Sequence, residues 1–386
     1  MTDKQNRQTF SRLQMPETNC DWLSKFYSFA CRGVLEISNN LDDVIKPPQI
    51  TPAHHFSWSR CRQNMSVANI KNFSTLPDHI KDFLYYRHCR HFPMLLDIPD
   101  KCGGAEGSSD VFLLLVIKST PVNYDRREVL RKTWAKERLQ NGVWIRRLFI
   151  SGTTGVGFEK KRLNTLLKIE QRENNDILQW DFNDSFFNLT LKQILFLEWM
   201  ERNCPHARFL LNGDDDVFVN TDNMVEYLLQ LKDNDGRKHL FTGWVIQYVG
   251  PIREKWSKYY VPVQVYESES YPPYCSGGGY ILSGYTALVI YNMSHSITVL
   301  PIDDVYLGMC LAKAGLSPER HSAVRINGLR VPSTTADDYD PCYYRGTLLV
   351  HRFLSAKMYY MWNKIHDPNL KLNEKLHYII NTIFTW

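Results

Sequence analysis

The sequence predicts a Rossmann-like, doubly wound α/β domain, with helices on both faces of a mixed sheet. Two observations carry this. VFLLLVIKS, from Val111, is a continuous apolar run of the kind a strand buried on both faces shows. After it, helical and strand-like segments alternate. NYDRREVLRKTWAKERL has helical period and charge, VWIRRLFISG reads as a strand, and FEKKRLNTLLKIEQREN is again helical. DILQWDF, LTLKQILFLEWMERN and RFLLNG continue as strand, helix and strand. Ligands of such sheets bind outside the carboxyl ends of the strands, so functional residues are expected there.

Residues 1–109 lack this order. They mix Pro, Asn, His and Cys without sustained period and end in the turn-rich KCGGAEGSSD. They are expected to form an N-terminal stem and entry region, with the catalytic domain over residues 110–386. The first 40 residues hold neither a signal-type apolar stretch nor the roughly 20 apolar residues that span a bilayer. The 386 residues are 44% hydrophobic and 13% aromatic, enough apolar material for a globular core. Lys and Arg number 46 against 41 Asp and Glu, and no long basic run is present, which excludes nucleic acid as the expected partner. Nine cysteines (Cys20, Cys31, Cys61, Cys89, Cys102, Cys204, Cys275, Cys310 and Cys342) are spread without a CxxC pair, so disulfides are expected rather than a zinc site. Sequons at Asn64, Asn72, Asn183, Asn188 and Asn292 point to the same oxidising, secretory compartment.

Chemistry is concentrated in a few motifs. Asp214-Asp215-Asp216 follows the apolar strand RFLLNG and precedes VFV. Three adjacent carboxylates repel one another, and a hard divalent cation with oxygen ligands relieves that repulsion. Mn2+ or Mg2+ there would neutralise charge on a diphosphate. Asp303-Asp304 opens the helical segment DDVYLGMCLAKAG. A carboxylate there fits a base that accepts a hydroxyl proton, and equally fits plain N-capping. Between the two acidic sites, Gly277, Gly278 and Gly279 would let backbone approach a ligand. Trp244, Trp256, Tyr259, Tyr260, Tyr271 and Tyr274 suit either sugar stacking or a core. Arg127 and Arg131, at i and i+4 after the first strand, could hold a diphosphate or be paired on a helix face. His351, ending the apolar run in LLVHRF, could reach a metal.

Taken in order and spacing, IKSTPVNYDRREVLRKTWA, DFNDSFFNLTLKQ, RFLLNGDDDVFVN, YPPYCSGGGYILS, PIDDVYLGMCL and LLVHRF closely resemble the β-1,3-glycosyltransferases of glycosyltransferase family 31, over residues 110 to about 365. Within that family the chain is most similar to the β-1,3-N-acetylglucosaminyltransferases that extend mucin-type core 1 or lactosamine chains. The resemblance implies a GT-A fold, a type II Golgi membrane protein with a lumenal catalytic domain, UDP-GlcNAc as donor with manganese, and a galactose-terminated glycan on a glycoprotein or glycolipid as acceptor. It implies Asp216 and His351 as metal ligands and Asp214 at the ribose or on a metal-bound water. Asp304 would be the base, with Asp303 the alternative. Ser119, Arg126, Arg127, Arg131 and Asp215 would serve the UDP site, and the glycine run would border donor sugar and acceptor. Two other readings stay open: a β-1,3-galactosyltransferase using UDP-Gal, and a catalytically inactive glycan-binding member.

Overall fold

The computed structural model of the chain describes residues 61–326, 341–353 and 355–369, and those from 61 to 367 belong to one compact unit. Cys20, Cys31 and the Cys342 side chain lie outside the described residues, as do the first 40 residues.

The chain enters through helix α1 (Asp78–Tyr86), strand β1 (Met94–Leu96) and the short helix α2 (Gly104–Gly107). It then alternates as the apolar periodicity predicts: β2 (Val111–Lys118), α3 (Tyr124–Lys132), the hairpin β3 (Arg138–Gln140) and β4 (Val143–Thr153), α4 (Gly157–Asn174), β5 (Ile177–Asn183), α5 (Leu189–Asn203) and β6 (Phe209–Asp214). The acidic triplet turns the chain into β7 (Val217–Val219), α6 (Thr221–Gln230) and β8 (Phe241–Ile246). The rest comprises β9 (Tyr274–Ser283), α7 (Gly284–Ser294), α8 (Asp303–Lys313), β10 (Glu319–Arg320), β11 (Val324–Arg325), α9 (Pro341–Arg345), β12 (Leu349–His351) and α10 (Ser355–Ile365).

Among the described residues the main sheet has nine strands, ordered β1-β5-β4-β2-β6-β9-β8-β10 with β3 on β4. Strands β5, β4, β2 and β6 are parallel, the expected βα core, while β9 runs antiparallel between β6 and β8 and makes the sheet mixed. All eight β2 positions are buried, which explains the unbroken apolar run. Each fully buried Leu there contributes about 1.5–3 kcal/mol of hydrophobic stabilisation. Helix α5 is buried nearly all round, between the sheet and helices α7 and α8. A second, three-stranded sheet is ordered β11-β12-β7.

Register sets the site. Lys118 pairs with Asp214 across β2 and β6, Gly213 pairs with Gly279 across β6 and β9, and His351 pairs with Val217 across β12 and β7. Motifs more than a hundred residues apart in sequence therefore meet at one sheet end.

Residues 61–109, expected as an entry region, are built onto this framework: β1 pairs antiparallel with β5, and a Cys102–Cys204 disulfide ties the approach to β2 to the end of α5. A Cys61–Cys89 disulfide closes the preceding segment, while Cys275 and Cys310 are buried free thiols. No helix among the described residues is long and apolar enough to cross a membrane. Because the Cys102–Cys204 bridge spans a sequence separation of 102 residues, replacing both cysteines by alanine should lower stability by about 2–5 kcal/mol in urea unfolding. An unchanged midpoint and slope would show that the bridge does not restrain the unfolded chain.

Candidate active site

The acidic triplet divides by direction. Asp215 turns inward and is 5% exposed. Its Oδ2 accepts from Ser119 Oγ and Asn123 Nδ2, each at 2.8 Å, and its Oδ1 from Arg126 Nη1 at 2.8 Å. Asp214 and Asp216 face the other way, toward His351, whose Nε2 lies 3.5 Å from Asp214 Oδ2 and 3.3 Å from Asp216 Oδ1. One ligand atom from each of these three residues falls within 4.8 Å of the others.

The position of His351 is held on both sides. Arg352 takes a left-handed φ of 63°, which costs a non-glycine residue about 1–2 kcal/mol. The turn is secured by Phe353 N–H donating to the Asp216 carbonyl at 2.7 Å. On the opposite side the ring lies on Gly278, where an added Cβ would sit 2.4 Å from Nδ1; at Gly279 a Cβ would meet Leu349 Cδ1 at 2.3 Å. Two of the three glycines are therefore required for contact with β12 itself.

Electrostatics suit a cation. Burial raises the Asp214 pKa, with Lys118 acting against it. Burial also pushes Asp216 upward, but the His351 and Arg126 side chains outweigh it and hold that carboxyl below its usual range. Asp216 Oδ1 is buried without a well-formed hydrogen bond; His351 Nε2, its close polar neighbour at 3.3 Å, pairs with it as an ion only when protonated. A buried carboxylate oxygen without a well-formed hydrogen bond, beside a second carboxylate and an imidazole, is a donor set that fits a divalent cation.

Asp303 and Asp304 begin α8 behind the N-cap Ile302, which has no side-chain acceptor; Asp304 takes one first-turn N–H, that of Val305, and also bonds outside the helix to Gly277, so capping accounts for only part of its bonding. They differ sharply. Asp303 is buried, with Oδ2 3.0 Å from Lys118 Nζ. Asp304 is half-buried and accepts from Gly277 N–H at 2.9 Å and Val305 N–H at 2.8 Å. Burial first, and the Asp303 charge second, raise its pKa to about 7, against the opposing effects of the two N–H groups and Lys118. A carboxylate of that basicity is matched to accepting a proton near neutral pH.

A cleft of about 260 Å3 opens beside the triplet, lined by residues 118–120, Asn123, Arg126, residues 184–186, Leu189, Lys192 and the three aspartates. Ser119 and Arg126, expected at a nucleotide site, line this cleft. Arg127 and Arg131 are not, which corrects the expectation that they face a diphosphate. Arg127 is 1% exposed and makes a two-bond pair with Glu170 at 2.7 Å, while Arg131 pairs with Asp176 and Glu170. Arginines whose donors are already taken by buried carboxylates have none to offer a ligand. Arg127 acts on the cleft indirectly, donating to Ser119 Oγ at 3.0 Å.

The aromatic set also divides. Tyr260 is core, Trp244 stacks under Arg320, Tyr271 and Tyr274 pack edge-on, Tyr259 meets the cleft residue Phe186 edge-on, and Trp256 is 87% exposed. Lys118, Asn123, Asp184 and Lys192 went unassigned in the sequence. For Lys118 the signal was a lone Lys closing an apolar strand. Lys192 donates to Ser119 O and pairs with Asp184 at 2.7 Å, both side chains being nearly unexposed.

Residues 125–322 match the family model described as Galactosyltransferase. The chain belongs to the galactosyltransferase family. It is 53% identical over 321 residues, 83% of this chain and 84% of the relative, to the human protein N-acetyllactosaminide beta-1,3-N-acetylglucosaminyltransferase 3. A human acetylgalactosaminyl-O-glycosyl-glycoprotein beta-1,3-N-acetylglucosaminyltransferase is 48% identical over 312 residues, 80% of each chain. The mouse UDP-GlcNAc:betaGal beta-1,3-N-acetylglucosaminyltransferase 7 is 41% identical over 332 residues, 84% of this chain and 82% of the relative.

For this galactosyltransferase-family chain, the glycine run gives a direct test. If Asp214, Asp216 and His351 hold a divalent cation, Gly278→Ala, whose Cβ would collide with the His351 ring, should weaken Mn2+ binding at least tenfold in calorimetry. Unaltered Mn2+ affinity would remove His351 from the ligand set.

Proposed function

We propose that the chain is an inverting β-1,3-N-acetylglucosaminyltransferase that moves GlcNAc from UDP-GlcNAc to the 3-hydroxyl of a terminal galactose on O-glycans or lactosamine chains. One observation carries the mechanism: the glycine run separates a cation-type site from a basic carboxylate by a single residue. His351 lies on Gly278, and Asp304 is bonded to the N–H of Gly277. A donor held by its diphosphate on one side would thus present its anomeric carbon near a base on the other. The names of the relatives, all β-1,3-N-acetylglucosaminyltransferases, favour this donor over UDP-Gal.

The reaction on this reading is a direct displacement. The acceptor oxygen attacks the anomeric carbon as the bond to UDP breaks, Asp304 takes the hydroxyl proton, and configuration inverts. Asp214, Asp216 and His351 are the residues that would hold Mn2+ or Mg2+, which when bound supplies Lewis-acid neutralisation of the diphosphate. Arg126, half-exposed at the cleft and 3.9 Å from Asp216, adds positive charge that UDP requires on departure. Asp215 and Ser119 shape the wall rather than donate to the nucleotide. The two disulfides among the described residues fit an oxidising compartment such as the Golgi lumen.

Purified protein with Mn2+ should form β-1,3 product from UDP-GlcNAc on a galactose-terminated acceptor; product from UDP-Gal alone would move the assignment to a galactosyltransferase. Asp304→Asn should lower kcat by at least a thousandfold while UDP still binds, and substantial turnover would reject the base. Only the ionised carboxylate accepts a proton, so kcat should rise with pH through an apparent pKa of about 7. A rate that stays flat from pH 5.5 to 8 would contradict this assignment.

A further inference from the structure

Lys118 ends β2 with its side chain only 3% exposed. Its Nζ lies 3.0 Å from Asp214 Oδ1 and 3.0 Å from Asp303 Oδ2, and donates to Gly277 O at 2.9 Å. An ammonium buried this deeply persists only with close compensation. Gly277, whose carbonyl takes this ammonium, gives its own N–H to Asp304 Oδ2 at 2.9 Å. Asp303, the chain neighbour of Asp304, is bonded to the same ammonium. Lys118 therefore reaches Asp304 by two routes, one through the Gly277 peptide and one through the first turn of α8.

We propose that Lys118 and Asp303 form a positioning pair for Asp304, in which the ammonium fixes the Gly277 N–H against the carboxylate and Asp303 anchors the helix turn that carries it. The proposal rests on the reading of Asp304 as the base. It gives the two adjacent carboxylates separate roles, one reacting and one positioning.

The surroundings make the pair's influence measurable. Of the charges near Asp304, Asp303 favours its protonated form and Lys118 its ionised form, while Asp214 faces the same ammonium from β6. Tyr271, Tyr274, Cys275 and Tyr280 face it from β9 and the segment before it, and burial keeps all four neutral. Removing one member of the pair should therefore move Asp304 in a direction set by that member's sign. A residue that merely fills space would not do this.

The test follows the 13Cγ resonance of Asp304, identified by its disappearance in Asp304→Asn, through a pH titration of wild type, Lys118→Met and Asp303→Asn. The acid limb of kcat is measured alongside. Lys118→Met should move the titration up by about one pH unit, and Asp303→Asn down by a similar amount. The acid limb should move with each, and Asp303→Asn should leave the KM for UDP-GlcNAc within about twofold. Asp303→Asn keeps the test decisive if Lys118→Met fails to fold. An Asp304 titration that stays in place in Asp303→Asn, or moves the same way in both variants, overturns the pair. A titration that moves as expected while the kcat limb does not follow supports the pair and rejects Asp304 as the base.

Discussion

The site depends on the inward turn of one carboxylate. Three aspartates in succession cannot all face one cavity without strong mutual repulsion. The middle one, Asp215, is drawn away by Ser119, Asn123 and Arg126, each donating at 2.8 Å. A hydrogen bond to a charged group is worth about 1.5–3 kcal/mol, so this clamp is strong enough to set the direction of the whole turn. With Asp215 fixed, Asp214 and Asp216 are left on the side where β12 delivers His351. Three residues from two sheets then converge, and neither sheet alone would bring them together.

Behind the clamp lies a buried ionic framework. Arg127 links Glu170 on α4 to Ser119, and Arg131 and Arg147 share Asp176. Such a network is costly to bury and stabilises mainly when complete, since removing one partner strands a charge. Its consequence for function is geometric. The loop after β2 is held at both ends, by the framework on one side and by Asp215 on the other, so the cleft wall is bonded into place by the chain's own residues. This is the preorganisation that electrostatic catalysis needs.

Much of this was legible in the sequence, and the losses have physical causes. The apolar run at Val111 and the alternation after it give the parallel core because strands buried on both faces leave an unmistakable pattern. β9 was missed as the antiparallel strand that makes the sheet mixed, since its glycine run looks like a loop and becomes a strand only through pairing with β6 and β8. Asp214, Asp216, His351 and the Asp303-Asp304 pair were singled out by type and position, and the structure brings them to one sheet end. Arg127 and Arg131 misled because their spacing fits an exposed anion site as well as an inward ion pair, and Glu170 and Asp176, which decide the matter, sit far along the chain. Lys118 was passed over as the last letter of an apolar run, although a single buried charge in such a run demands a partner.

On this reading the split triplet and His351 form one cation site beside Asp304. The most direct measurement is an anomalous difference map from crystals grown with Mn2+ and UDP. One strong peak is expected, bounded by Asp214, Asp216 and His351, with Asp215 still bonded to Ser119, Asn123 and Arg126. A peak on Asp303 and Asp304, or Asp215 swung out to meet the ion, would contradict it.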